Sequence, residues 1–308
     1  MSVTGPGTDL TQIGYAVALQ KSQSRLSDFI ALMKPRVMSL VVFTALVGLS
    51  VAPGHLDPLT AFLVLLSIAG GAGAAGVLNM WYDADIDAVM ARTAKRPIPR
   101  GGVSRPEALA FGLMLAAGSV ILLSLSANNA AAALLAFTLF FYVIVYTMLL
   151  KRHTSQNIVI GGAAGAFPPV IGWVATTGSI GVEPLVLCLI IFLWTPPHFC
   201  ALSLNRVNEY ARAGVPMLPV VAGRAETKRQ IFIYSSPLVL ASILPWILGF
   251  AGAIHGATAV VFRSAMTLLA LRLRRNCLAD QQAARRLFAF SILYLLVLFA
   301  TLLFDARQ

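Results

Sequence analysis

The sequence predicts an all-α membrane protein, a polytopic bundle of about nine transmembrane helices, and three observations predict it. Of its 308 residues, 58% are hydrophobic and only 11% charged, with a mean hydropathy of +0.81, far more apolar than a soluble domain can bury. Apolar runs of about 17 to 23 residues recur from end to end, each long enough as a helix, at about 1.5 Å per residue, to cross roughly 30 Å of hydrocarbon. All but two of the 23 Lys and Arg residues fall in alternate loops, the pattern of a chain that crosses a bilayer repeatedly. Membrane lipid is therefore the main solvent of this chain.

Taken in order, the expected spans are 37–53, 58–80, 106–126, 129–149, 158–177, 182–204, 233–251, 254–271 and 287–304. They are continuously apolar, without the alternation of lipid-facing strands, which points to helices rather than a barrel. The basic groups lie at 21–36, 92–105, 151–152, 206–229 and 272–286, leaving only Arg263 and Arg307 elsewhere. Positive loops face the cytoplasm, so the N-terminus and the long polar loops are expected there and the C-terminus outside. The same regularity explains the net charge of +11 as topology and argues against nucleic acid as a partner. The division expected is a cytoplasmic N-terminal segment over 1–36 and a single transmembrane domain over 37–308.

The first residues lack a short apolar core with a small-residue cleavage site, so no cleaved signal peptide or transit peptide is expected, and the membrane is inferred to be a bacterial cytoplasmic (inner) one. Cys188, Cys200 and Cys277 form no CxxC pair, which argues against a zinc site, a disulfide framework or covalent haem attachment; they are expected to pack as small apolar residues. His55 and His255 are expected on the outward loops and receive no assignment.

Two inward loops differ from ordinary connectors. The first follows a glycine-rich helix end (GGAGAAG, 70–76) and runs through NMWYDADIDAVMARTAKRPIPRGG, residues 79–102. On a helix Asn79, Asp83 and Asp87 form one stripe, while Asp85 points to the opposite side. Carboxylates stacked one turn apart repel unless a cation bridges them, and hard oxygen ligands favour Mg²⁺, which commonly shares substrate phosphates. Arg92, Lys95 and Arg96 follow directly and would neutralise a leaving diphosphate.

The second loop, LSLNRVNEYARAGVPMLPVVAGRAETKRQ (202–230), holds Arg206, Asn208, Glu209 and Tyr210. Glu209 would complete a metal site with Asp83 and Asp87, although a Glu beside an Arg is usually a surface pair worth under about 1 kcal/mol. Between the two loops, Lys151, Arg152, His153 and Asn157 form a shorter polar turn after Tyr142 and Tyr146, suited to anion contact. His198 lies in LWTPPHFCAL, where two consecutive prolines are expected to disturb the helix; non-helical backbone at membrane depth is tolerated chiefly where it lines a cavity.

These segments resemble the UbiA superfamily of intramembrane aromatic prenyltransferases. The resemblance covers nearly the whole chain, through MKPRVMSLVVFTALVG (33–48), NMWYDADIDAVMARTAKRPIPRG (79–101), NIVIGGAAGAFPPVIGW (157–173), WTPPHF (194–199), YARAGVPMLPVVAG (210–223) and SILYL (291–295). The aspartate-rich stretch is typical of the superfamily; NIVIGG with PPVIGW, and TPPHF with AGVPMLPVV, resemble its haem-farnesylating branch. The resemblance implies a central cavity, Mg²⁺ as cofactor, farnesyl diphosphate and haem B as substrates, haem B not being a prosthetic group, and haem A synthase or terminal-oxidase assembly proteins as partners. It matches Asn79, Asp83 and Asp87 to the first Mg²⁺-diphosphate motif, Lys95 and Arg96 to its basic continuation, and His198 to the histidine of the haem branch. Asn208 and Glu209 stand where that branch usually carries aspartates.

The expected site is thus Asn79, Asp83, Asp87, Lys95, Arg96, Lys151, Arg206 and Tyr210 for the chemistry, with Tyr146, Arg152, Asn157 and His198 contacting substrate and Asp83, Asp87 and Glu209 holding metal. Two rival readings are a prenyltransferase with a different aromatic acceptor and a membrane transporter; no internal inverted repeat supports the transporter.

Overall fold

The computed structural model describes residues 24–275 and 280–305; Lys21, Cys277 and Arg307 lie outside them. Every regular element among these residues is a helix. Eight helices are long and apolar enough to cross a membrane, and a ninth crossing is a bent pair, α1 (Leu26–Leu32) and α2 (Pro35–Val51), meeting at 54°. The all-helical, roughly nine-span expectation is borne out. Helical structure already begins at Leu26, ahead of the boundary expected at residue 37.

The starts of several spans follow from local chemistry. Asp57 caps α3 (Pro58–Tyr82), its Oδ1 accepting from the Leu59 and Thr60 amides at 3.1 Å, with proline in the first turn where no N–H is needed. Past the short α4 (Ala84–Val89), Ser104 and Glu107 form a reciprocal capping box on α5 (Arg105–Ser126). Asn128 caps α6 (Asn129–Phe140), which continues as a π-helical segment from Phe141 to Leu150. The next crossing is split at Phe167 into α7 (Asn157–Ala166) and α8 (Pro168–Thr177), because Pro168 and Pro169 supply no amide donors and restart the helix.

Helix α9 (Val182–Leu204) runs as continuous helix through Pro196 and Pro197, so the non-helical kink expected there is absent. Trp194 Nε1 donates to the Ser291 carbonyl at 2.6 Å and His198 Nδ1 bonds Ser291 Oγ at 2.7 Å, pinning this stretch to the last helix. Two short helices, α10 (Val207–Arg212) and α11 (Leu218–Val221), shape the second polar loop. Then come α12 (Gly223–Ala241), α13 (Leu244–Ile247), α14 (Ala253–Arg275) and α15 (Asp280–Asp305). The expected span at 233–251 thus starts ten residues early as a helix: hydropathy marks what lipid covers, whereas AETKRQ favours helix although it is polar.

Two cores hold the bundle. One joins α2, α3, α5, α6 and α8 through Ala45, Val64, Ile68, Leu123, Leu135 and Ile171; the other joins α9, α12, α14 and α15 through Leu187, Ile190, Ile231, Met266 and Phe299. Since lipid tails are as apolar as leucine, close backbone packing drives association here. At Gly48 an added Cβ would run into the Pro169 carbonyl, and at Gly172 into that of Ala45, so α2 and α8 touch backbone to backbone. Exposed leucines such as Leu113, Leu125, Leu240 and Leu268 face outward, as expected where lipid is the solvent.

Candidate active site

The glycine-rich helix α3 delivers Asn79 and Asp83 to the end of the bundle that carries both long loops. The helix breaks at Asp83, yet the amide-to-carbonyl ladder from Asn79 through Asp83 to Asp87 persists, so the expected stripe survives. All three side chains are buried, Asp83 with no exposed surface, while Asp85 is exposed on the other side. Asn79 Nδ2 donates to Asp83 Oδ2 at 2.7 Å and to Thr147 Oγ1 at 3.3 Å. Its own Oδ1 accepts from Lys34 Nζ at 2.8 Å. Asn79 therefore orients the carboxylate.

Each carboxylate has its own cation. Lys151 Nζ pairs with Asp83 Oδ2, and the Arg152 guanidinium lies 3.8 Å from Asp83 Oδ1 while holding Asp85 at 2.8 Å. The hydrogen bonds from Arg152 keep the Asp85 carboxyl at about 2, well below the usual carboxylate range. Arg96 Nη1 bonds both oxygens of Asp87, at 2.8 and 2.7 Å. Lys151 reaches Asp83 from the end of the π-helical segment, where its amide bonds the Tyr146 carbonyl five residues back. Such a widened turn shifts the residues that follow it relative to an α-helix, and π segments recur at functional sites. Within it, Thr147 Oγ1 donates to the Tyr142 carbonyl, and the Tyr142 and Tyr146 rings pack 5.2 Å apart. A Cβ on Gly161 would collide with the Tyr146 ring.

The second loop joins the first through apolar contact. Ile86 and Met90 from the first, Ile158 from α7, and Val215 and Met217 from the second form one small core, with Tyr210 packed against it. Arg206 Nη1 bonds Glu209 Oε1 at 2.6 Å, and Asn208 is exposed. Lys95 is exposed and makes no ion pair among the described residues. Asn157, 1% exposed, donates to the Thr154 carbonyl at 2.6 Å. His198 is stacked between Trp194 and Phe288, at 4.3 and 4.5 Å.

The structure does not gather Asp83, Asp87 and Glu209 around one point: among the described residues no three acidic, His or Cys side chains stand close enough to share an ion. The local cations explain this, since Lys151, Arg96 and Arg206 each draw one carboxylate toward themselves. Yet Asp83 Oδ1 and Glu209 Oε2 are buried without a hydrogen-bond partner, as are Asn157 Oδ1, Asn205 Oδ1 and Arg152 Nε at the same end. An unsatisfied buried polar atom costs about 1–3 kcal/mol and calls for an explanation such as a bound ion. Partnerless carboxylate oxygens are the ligand chemistry a hard divalent cation takes, so the residues fit Mg²⁺.

The profile of the UbiA prenyltransferase family matches residues 41–302. The chain belongs to that family. The protoheme IX farnesyltransferase of Afipia carboxidovorans is 60% identical to it over 91% of this chain and 90% of that one. The protein of the same name from Rhodopseudomonas palustris strain BisB18 is 58% identical over 92% and 91%. In fold, this UbiA family member is similar to a UbiA homolog from Aeropyrum pernix K1, with a TM-score of 0.72 at 21% identity over 88% of this chain and 98% of that one. A UbiA homolog from Archaeoglobus fulgidus, solved bound to GPP and Mg²⁺, has a TM-score of 0.66 at 15% identity over 89% and 99%.

Sequence reasoning missed three residues of the site. Lys34 is the single non-glycine residue with positive φ, 56°, among the described residues, and its role depends on the bend between α1 and α2. Thr147 is brought in by the π segment. Asn205 carried one available signal: it stands four residues before Glu209, as Asn79 stands four before Asp83.

Proposed function

We propose that this chain transfers the farnesyl group of farnesyl diphosphate to a vinyl group of haem B, giving hydroxyethylfarnesyl haem (haem O) and diphosphate. The observation that carries the reading is the 60% identity, across nine tenths of both chains, with a protoheme IX farnesyltransferase. The polar end of the bundle supplies matching chemistry: carboxylates with partnerless buried oxygens beside Lys34, Lys151, Arg152, Arg96 and Arg206. That end faces the cytoplasm, where the basic loops belong.

Asp83 through its partnerless Oδ1 and Glu209 through its partnerless Oε2, joined by Asp87 once Arg96 yields one of its oxygens, would hold Mg²⁺, which would supply positive charge to the diphosphate oxygens. Asn79 fixes the rotamer of Asp83. Lys151, Arg96, Arg206 and Lys95 take up the negative charge that grows on diphosphate as the C–O bond breaks, a preorganised stabilisation typically worth about 10²–10³ in rate per donor. Both electrons of that bond leave with diphosphate. The allylic carbon then bonds the terminal vinyl carbon, and water adds at the carbon next to the porphyrin ring and loses a proton. Tyr146 and the apolar core of Ile86, Met90, Ile158, Val215 and Met217, with Tyr210 packed against it, would keep water from the cation until the carbon–carbon bond has formed. His198, with Nδ1 fixed by Ser291 and its ring clamped by two aromatics, contacts haem from a rigid position.

The test is incubation of purified protein with haem B, farnesyl diphosphate and Mg²⁺, followed by mass spectrometry of the haem fraction. Haem gaining farnesyl and hydroxyl, absent with Asp83→Ala, is the expected result. His198→Ala should lose product while still binding diphosphate. Unmodified haem from folded protein would leave a prenyltransferase with another acceptor.

A further inference from the structure

Helix α12 leaves the second polar loop, α14 returns to the same end of the bundle and α15 departs again. Leu273, Ala284 and Leu287, none with exposed surface, pack the ends of α14 and α15 into one core. Around them stand five exposed arginines: Arg272, Arg274 and Arg275 in the last turn of α14, and Arg285 and Arg286 early in α15. Among the described residues none of the five pairs with a carboxylate, whereas at the same end Arg96, Arg100, Arg152, Arg206 and Arg229 each hold one. Topology explains the sign of the charge at this end. It does not require that five guanidiniums share one hairpin without a counter-charge.

The surface beside these arginines indicates what carries the missing charge. On α14, Val261, Ser264, Leu268, Arg272 and Arg275 are all exposed at spacings of three and four, one stripe that runs from apolar to cationic. On α15, Arg286, Ala289, Leu293 and Leu296 form a second such stripe in the reverse order. Arg274 turns instead toward α12, its guanidinium 5.2 Å from the centre of the Phe232 ring, which steadies the cation and leaves its N–H edge open to an anion. A guanidinium fork matches two phosphate oxygens. An acidic protein segment would bring carboxylates but no acyl chains for the apolar part of each stripe; a phospholipid brings both phosphate and chains. The ammonium of a zwitterionic headgroup would be repelled by the arginines, so an anionic headgroup is favoured. We infer that the α14–α15 hairpin binds an anionic phospholipid, its phosphodiester held by Arg272, Arg275, Arg285 and Arg286 and its acyl chains lying along the two stripes. Such a lipid ties together two helices that share a core with α12, and so braces the root of the second polar loop.

The experiment is native mass spectrometry of the full-length protein released from detergent micelles that contain phosphatidylglycerol or, at equal concentration, phosphatidylcholine with the same acyl chains. The wild type should retain phosphatidylglycerol over phosphatidylcholine by about fivefold or more, the order of effect that one arginine near an anionic headgroup gives. Its melting temperature in detergent should rise with phosphatidylglycerol and not with phosphatidylcholine. The triple variant Arg275→Gln, Arg285→Gln, Arg286→Gln should lose both the preference and the rise. A second triple variant, Arg25→Gln, Arg36→Gln, Arg212→Gln, removes as much charge from exposed arginines of other segments and should keep both. Equal retention of the two lipids by the wild type would overturn the inference and leave the hairpin to topology or to an acidic protein partner. A preference that both triple variants reduce alike would also overturn it, because net charge would then suffice. The comparison of the two lipids on the wild type needs no variant, so it decides if the hairpin variant fails to fold.

Discussion

Removing Lys151 takes the closest cation from the Asp83 carboxylate, which has no exposed surface, and leaves it the Asn79 amide and an Arg152 guanidinium 3.8 Å away. Breaking a buried pair from one side costs about 3–5 kcal/mol, so Lys151→Met should lower the thermal stability of the detergent-solubilised protein markedly. It should also slow diphosphate release by about 10²–10³. Adding Asp83→Asn to that variant should restore much of the stability and none of the turnover, whereas a Lys151→Met protein as stable as the wild type would contradict the pairing. Asp85 is the contrast, since it is exposed and its pair with Arg152 is worth at most about 1 kcal/mol. Its carboxyl titrates at about 2 in the folded chain, below the ordinary 3.8. The stability it contributes is therefore complete above pH 4 and lost as the pH falls toward 2. The melting-temperature difference between wild type and Asp85→Asn should be constant from pH 5 to 7 and shrink below 4. The acidic stripe was legible because spacing along one helix fixes which face a residue takes. Lys34 was not, since a lysine 45 positions away meets Asn79 only through a bend between two helices. His255 was missed for a similar reason: it is buried between Thr301 and the Ser242 carbonyl, partners that local hydropathy does not report.

The π-helical segment decides where Tyr146 and Lys151 stand, and Gly161 on α7 gives the Tyr146 ring its room. Gly161→Val should push that ring aside. Overpacking of this kind costs about 1–3 kcal/mol, read as a lower melting temperature, and here turnover should fall further than stability explains, because the ring and Lys151 share one segment. Unchanged turnover would show that the register of this segment does not matter to the site. Sequence located the span itself at 129–149 and could not show its widened turns, since FYVIVYTMLL is apolar in either register. The same limit applied to α9, where two prolines implied a break and contacts to α15 held the helix continuous.

Across the whole molecule, hydropathy and the alternation of basic loops set out nearly every crossing before any contact was known, because each span is a local property of about twenty residues. The meeting of the two loops is not local: it depends on Ile86, Met90, Ile158, Val215 and Met217 finding one another. Under the proposed function, this arrangement would serve cationic addition across a vinyl group, with diphosphate leaving first and water arriving last. The most direct measurement is to run the haem B and farnesyl diphosphate reaction in ¹⁸O-labelled water and weigh the product haem. The account predicts one ¹⁸O atom per farnesylated haem, located in the new hydroxyl group and absent from unreacted haem. Farnesylated haem with no label, or with its hydroxyl oxygen drawn from diphosphate, would contradict it.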